Sequence, residues 1–133
     1  MKAIAFCTLW MFSVVFAGVI EDKQAQWENM VAPHRTKCIA ESGVNDDEAT
    51  TCFKNNTFPD NHEFKCYLKC IQVQLGFMDV DGNFNVDTAA SVALDGDKKI
   101  AEECISEEAD SCTKAYNYAL CCMRRFMETL KKE

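Results

Sequence analysis

Nine of the 133 residues are cysteine, and thiols offer three kinds of chemistry: disulfide formation, metal ligation and nucleophilic attack. Spacing and surroundings decide among them. Cys7 falls in an apolar leader. The other eight are Cys38, Cys52, Cys66, Cys70, Cys104, Cys112, Cys121 and Cys122. An even number in a small chain with a secretory leader reads as a disulfide framework. Eight cysteines permit about a hundred pairings, so counting leaves the connectivity open. A metal site is disfavoured, because the histidines are only His34 and His62 and no Cys-x-x-Cys occurs. No metal and no other cofactor is expected.

Catalytic spacings are missing as well. Neither Gly-x-Ser-x-Gly nor His-Glu-x-x-His is present. Asp79-Val80-Asp81-Gly82-Asn83 has the composition of a calcium loop, but Gly82 stands fourth from Asp79, where an EF-hand needs glycine sixth. It reads as an acidic turn. A secreted phospholipase would carry His-Asp directly after its Cys-Cys pair; here Cys121-Cys122 is followed by Met123-Arg124-Arg125. A plant-type lipid-transfer protein would need Cys-x-Cys, which is absent. The chain is therefore not expected to be an enzyme.

The elements that position the cysteines begin after the leader. Lys2 precedes an almost wholly apolar run from Ala3 to Phe16, and Val15-Phe16-Ala17 offers compact residues for a cleavage site. Residues 1–17 thus read as a signal peptide and 18–133 as one domain in extracellular fluid. The run of roughly 14 apolar residues is short of the about 20 that span a bilayer. Net charge is −7, and residues 18–133, without Lys2, carry −8. Such acidity argues against nucleic acid and anionic membranes as partners and keeps the chain soluble.

With 5 glycines, 2 prolines and no sustained alternation, the chain reads as helical throughout. A first helix is expected from about Glu21 to Glu41, interrupted by Pro33. A short one follows Asn45, with Asp46, Asp47 and Glu48 at its positive end. Asn55-Asn56-Thr57 is a loop and a glycosylation sequon at Asn55. The next helix starts at Asp60, with Glu63 completing a capping-box pattern, and stops at Gly76. Phe64, Leu68, Ile71 and Leu75 form one apolar stripe, while Cys66, Cys70 and Val73 fall nearly opposite. Lys65, Lys69 and Gln72 fill a polar wedge between them. Asp87 is placed to cap a helix to about Leu94, and Asp95-Gly96-Asp97 turns the chain into another that ends near Cys104. The last helix spans about Ser111 to Leu130. Tyr116, Ala119, Met123, Phe126, Met127 and Leu130 share its apolar face, with Cys112 near the middle and Cys122 at the edge. Cys121 lies on the outer side, among Lys114, Asn117, Arg124 and Arg125.

Six of the cysteines read C-x27-C-x3-C-x33-C-x7-C-x8-C from Cys38 to Cys121. With the leader and the helical pattern, this resembles the insect odorant-binding and pheromone-binding proteins (PBP/GOBP family). The resemblance spans the mature chain. It includes Cys38-Ile39-Ala40-Glu41-Ser42-Gly43-Val44, Phe58-Pro59-Asp60, Lys65-Cys66-Tyr67-Leu68-Lys69-Cys70, Asp81-Gly82-Asn83-Phe84 and Cys112-Thr113-Lys114-Ala115-Tyr116. The x33 and x7 intervals are short for the family, and Cys52 and Cys122 are extra to its six.

The resemblance implies an all-α, compact six-helix disulfide-linked domain around a hydrophobic cavity. It implies bridges Cys38–Cys70, Cys66–Cys112 and Cys104–Cys121. Cys52 and Cys122 are then left over: a fourth bridge between them is expected, with two free thiols or an intermolecular bond as the alternatives. The implied function is a secreted carrier that holds odorants or pheromones and moves them through sensillum lymph. An olfactory receptor is then a downstream partner, and a homodimer stays open. Candidate ligand-binding residues are Phe64, Leu68, Ile71, Leu75, Tyr116, Ala119, Met123, Phe126 and Met127. Phe53, Phe77, Met78, Phe84, Val92 and Leu94 follow as second choices. Tyr116 or Tyr118 is expected to orient a ligand hydroxyl or carbonyl. The tail after Cys121 is expected to be too short and too charged to enter the cavity. A non-olfactory carrier of lipid-like molecules and a receptor-binding helical signalling protein are the other readings.

Overall fold

The computed structural model describes residues 18–132. The signal-peptide reading of residues 1–17 lies outside the described residues. Residues 18–31 form a helix (α1), and Ala32–His34 a single 3₁₀ turn containing Pro33, after which α2 runs Arg35–Ser42. Proline has no N–H to give the ladder, so the α-helix is interrupted there and resumes within one turn. α1 and α2 are thus two arms of one bent helix. Five more follow: α3 (Asp46–Asn55), α4 (His62–Leu75), α5 (Val86–Ala93), α6 (Lys98–Glu103) and α7 (Ser111–Lys132). With the bent helix counted once, the described residues form a six-helix, all-α domain. An isolated bridge, Met78 to Phe84, closes the Asp79–Asn83 turn, and no strand forms among the described residues.

The helix ends show how side chains select the boundaries. The Asn45 side chain accepts hydrogen bonds from the backbone N–H groups of Asp47 and Glu48, and so starts α3. At α4 the expected cap, Asp60, is displaced by one position. Asn61 takes the extended conformation (φ −137°, ψ 157°), and its carboxamide oxygen accepts from Phe64 N at 2.8 Å. Asp60 instead pairs with Lys65 Nζ at 2.9 Å. Similarly α5 is capped by Asn85, which accepts from Thr88 N, while Asp87 sits inside the first turn. Neutral Asn is as good a cap as Asp, and each takes the role where its backbone is extended. Gly76 ends α4 in the left-handed region at φ 78°, a conformation cheap only for glycine. Asn61→Ala is expected to lower unfolding stability by about 1 kcal/mol, measured by urea denaturation.

Three disulfides lock the packing: Cys38–Cys70 joins α2 to α4, Cys66–Cys112 joins α4 to α7, and Cys104 just after α6 bonds Cys121 of α7. α4 therefore lies centrally, packed on α7 with α2 across it. Its apolar stripe faces the core, with Phe64 wholly buried and Leu68 and Ile71 nearly so. Phe64 sits in an aromatic cluster with Phe58, Tyr67 and Tyr116, ring centroids 5.9–6.4 Å apart.

The fourth bridge is not formed. Cys52 and Cys122 are free and buried. Their neighbourhoods differ: the Cys52 thiol lies over the Ala49 carbonyl near Tyr67, Glu28 and Arg35, whereas Cys122 lies beside Tyr118 and Arg125. A disulfide demands close approach of the two Cβ atoms, and these two thiols, though in one core, have different neighbours.

The last helix is also rotated relative to expectation. Its buried line is Cys112, Ala115, Tyr118, Cys122 and Phe126. This is roughly 70° around from the stripe centred on Ala119 and Met123, at about 100° per residue. The half-buried residues of that stripe, Tyr116, Ala119, Met123 and Met127, flank the core.

Candidate functional site

A partly open cavity of about 70 Å³ lies among α1, α4, α5 and α7. α4 contributes Leu68, Ile71 and Leu75, the three C-terminal members of its apolar stripe. Ala119 and Met123 of α7 complete the part of the wall that was expected from periodicity. Phe53, Phe77 and Leu94, the second-choice residues, line it too.

Four expected residues stand elsewhere. Phe64 is held in the aromatic cluster toward the other end of α4. Tyr116 directs its hydroxyl to the Phe58 carbonyl, 2.9 Å away. Phe126 packs against Trp27 and beneath the Lys23 ammonium, which lies 4.8 Å from its ring centre. Met127 lines an outer groove instead. Of the remaining second choices, Val92 is exposed, Phe84 stacks on Tyr118 with centroids 4.2 Å apart, and Met78 is buried outside the wall. The common reason is that a helical stripe shares one direction but not one neighbour, and each end of α4 and α7 meets different elements.

Sequence reading passed over the rest of the wall. Trp27, Met30 and Val31 come from α1, and Ala89 and Ala93 from α5. The i, i+3, i+4 spacing of Trp27, Met30 and Val31 carried the helical signal, but nothing local marks which cavity it faces. Gln72 was placed in a polar wedge. It is buried, 5 % exposed, and its Nε2 donates to the Ala115 carbonyl at 2.7 Å. Lys65 and Lys69, the other members of that wedge, stay half-buried at the surface.

The polar tips in the wall are largely committed. Trp27 Nε1 donates to Ala93 O at 2.8 Å, and Tyr118 Oη donates to Ala101 O at 2.8 Å. Both expected tyrosine hydroxyls, those of Tyr116 and Tyr118, are thus bonded to backbone carbonyls. Burial pushes the Tyr118 phenol above its usual range. The Cys122 thiol, desolvated in the same way, is pushed up to about 12, as is Cys52. The wall is therefore neutral.

Those two thiols make a direct prediction. Both should resist alkylation in the folded protein at mildly alkaline pH, and two should label per chain after unfolding without reductant. Because their folded values lie above the ordinary 9.0, the stability they contribute is complete below about pH 9 and is lost as pH rises toward 12. Urea midpoints across that range check the sign.

Trp27, Phe53 and Met123 belong to two walls at once. Beyond them lies the outer groove, about 420 Å³, bounded also by Asn56, Phe58, Leu120, Arg124 and Met127. Lys23 anchors the α1 side of this partition. It is 6 % exposed and reaches Asp95 Oδ1 at 2.8 Å and Gln26 Oε1 at 3.1 Å. Trp27 and Phe53 are nearly buried, and Met123 is the half-buried, flexible member. No helix among the described residues is long and apolar enough to cross a membrane.

Comparisons with known proteins agree with this architecture. The profile of the PBP/GOBP family matches residues 21–125. The chain is similar to general odorant-binding protein 99b of Drosophila melanogaster, 30 % identical over 111 residues, covering 74 % of this chain and 73 % of that protein. Its fold is similar to that of Apis mellifera odorant binding protein 5, with a TM-score of 0.58 and 26 % identity over 80 % of this chain and 93 % of that one. From the matched profile, the three disulfides and the helical fold it follows that the chain belongs to the PBP/GOBP family.

Proposed function

We propose that the protein is a secreted carrier that takes one small hydrophobic molecule into the cavity between α4, α5 and α7 and moves it through aqueous fluid such as sensillum lymph. The observation that carries this reading is the wall itself, which is apolar and carries no charged side chain. A cavity in a domain this size costs stability in proportion to its volume, and three disulfides supply the compensation. At about 70 Å³ the cavity is smaller than an apolar one of about 150 Å³ that accepts benzene. A larger guest therefore requires side chains to move. Met30 and Met123 are the adaptable ones, since thioether chains rotate at low cost. Rotation of Met123 would join the cavity to the outer groove, which makes the groove the entry route.

The test is titration with an environment-sensitive apolar fluorophore. A saturable signal near one probe per chain, displaced by long-chain alcohols or aldehydes, supports the carrier. Absence of uptake would point to a receptor-binding role instead. Asn55 is exposed at the end of α3, so its sequon is open to glycosylation. A mass decrease on enzymatic deglycosylation of the secreted protein is the expected result there.

A further inference from the structure

The outer groove differs from the cavity in what it shows to solvent. Its floor is apolar, with Trp27, Phe53 and Met123 shared with the cavity wall. Its rim along α7 carries Arg124, Glu128 and Lys131. These three fall at i, i+4 and i+7, one exposed row beside the apolar row of Met123 and Met127. None of the three enters an ion pair among the described residues. Arg125, next in the chain, is by contrast committed to Glu103 at 2.6 Å. The groove thus holds one net positive charge in a chain whose net charge is −7.

The volumes decide where a guest can lie. The cavity is about 70 Å³ and the groove about 420 Å³, and an apolar space of about 150 Å³ is what takes benzene. A longer guest therefore leaves most of itself in the groove, and a polar end group comes to rest at the rim.

We infer that the groove receives the head of an anionic amphiphile, and that the guest class is the long-chain carboxylate, with its head at Arg124 and Lys131 and its tail passing Met123 toward the cavity. This rests on the carrier reading above. A carboxylate matches the guanidinium fork in charge and in plane, whereas an ester oxygen accepts only the weaker bond of a neutral group. Glu128 stands between the two cations in the row, so its carboxylate competes with the guest's for the same partners. The cations are exposed, so the attraction is screened by salt.

The experiment compares decanoate with methyl decanoate, which shares its chain and lacks its charge, by competition against an uncharged fluorophore on the intact disulfide-bonded protein at neutral pH. At low salt decanoate is expected to bind about fivefold tighter, with the ratio falling as salt is added. Arg124→Gln combined with Lys131→Gln is expected to bring the two compounds within about twofold of each other, and Glu128→Gln to widen the ratio about twofold. Arg125→Gln removes the same charge outside the groove and is expected to keep the wild-type ratio. Equal affinities in the wild type overturn the anion site and leave the carrier intact, as does a bound probe that neither compound displaces. A preference for decanoate that survives the double substitution, or that is lost equally in Arg125→Gln, also overturns it, the latter by showing an effect of net charge alone. Failure of the probe to bind removes the carrier reading and this inference with it.

Discussion

Replacing Cys66 and Cys112 together with serine is expected to lower the unfolding free energy by about 4 kcal/mol. The bridge spans 46 residues of sequence, against 32 for Cys38–Cys70 and 17 for Cys104–Cys121. In the chain-entropy account the benefit of a cross-link rises with the logarithm of the loop it closes, so the three should rank in that order, from about 4 down to about 3 kcal/mol. Total stabilities of small domains run about 5–15 kcal/mol. Loss of this one bridge would therefore consume a large share of the margin. It also ties α4 to α7, the two helices that supply half of the cavity wall. The expected observation is a lower urea midpoint, accompanied by weaker probe binding because the wall is no longer preorganised. A change under about 1 kcal/mol would show that α4–α7 packing alone holds the domain.

The largest functional effect is expected from Ala119→Phe. Ala119 is half-buried on α7 and faces the cavity. A benzyl group there would take up the existing space and remove the room into which Met123 must turn. Probe affinity should fall at least tenfold, because a guest would have to displace a packed ring, and overpacking costs about 1–3 kcal/mol where each 1.4 kcal/mol is tenfold. The disulfides and helix content should be unchanged. Phe64→Ala is the informative contrast: it should cost about 3–5 kcal/mol of stability yet keep one probe per chain, since Phe64 stands in the aromatic cluster outside the wall. If Ala119→Phe binds the probe as the wild type does, the guest sits elsewhere, and the outer groove becomes the site.

The cavity wall shows how far a one-dimensional pattern reaches. Leu68, Ile71 and Leu75 were legible because a helix repeats its face every three to four residues, and the same rule placed Ala119 and Met123 near the cavity. The rule reads direction only. It could not distinguish Phe64, at the aromatic end of α4, from Leu75, at the cavity end. On α7 it weighted hydrophobicity and so centred the face on Met123 and Ala119. Burial instead follows Ala115, Tyr118 and Cys122, because the Gln72 side chain of α4 and the Ala101 carbonyl lie on that side. Tyr118 is buried since its hydroxyl finds an acceptor there, an event no local window contains.

The cysteines divide in the same way. Their number, the apolar N-terminal run and the x3 and x8 spacings were enough, through family resemblance, to specify Cys38–Cys70, Cys66–Cys112 and Cys104–Cys121, because covalent pairing in a family is preserved in spacing. Cys52 and Cys122 had no such frame, and arithmetic alone joined them. The folded chain keeps both as buried thiols with different neighbours. Gln72 is the complementary case: polarity put it in a wedge between the two faces of α4, and the tertiary structure buries it, where its Nε2 donates to the Ala115 carbonyl. The sequence by itself thus determined the helices, the framework and the class of interior, since these depend on residue type and separation along the chain. Only the tertiary structure decided which thiols stay free, which residues wall the cavity and which polar side chain is buried beside it, because each depends on a neighbour distant in sequence.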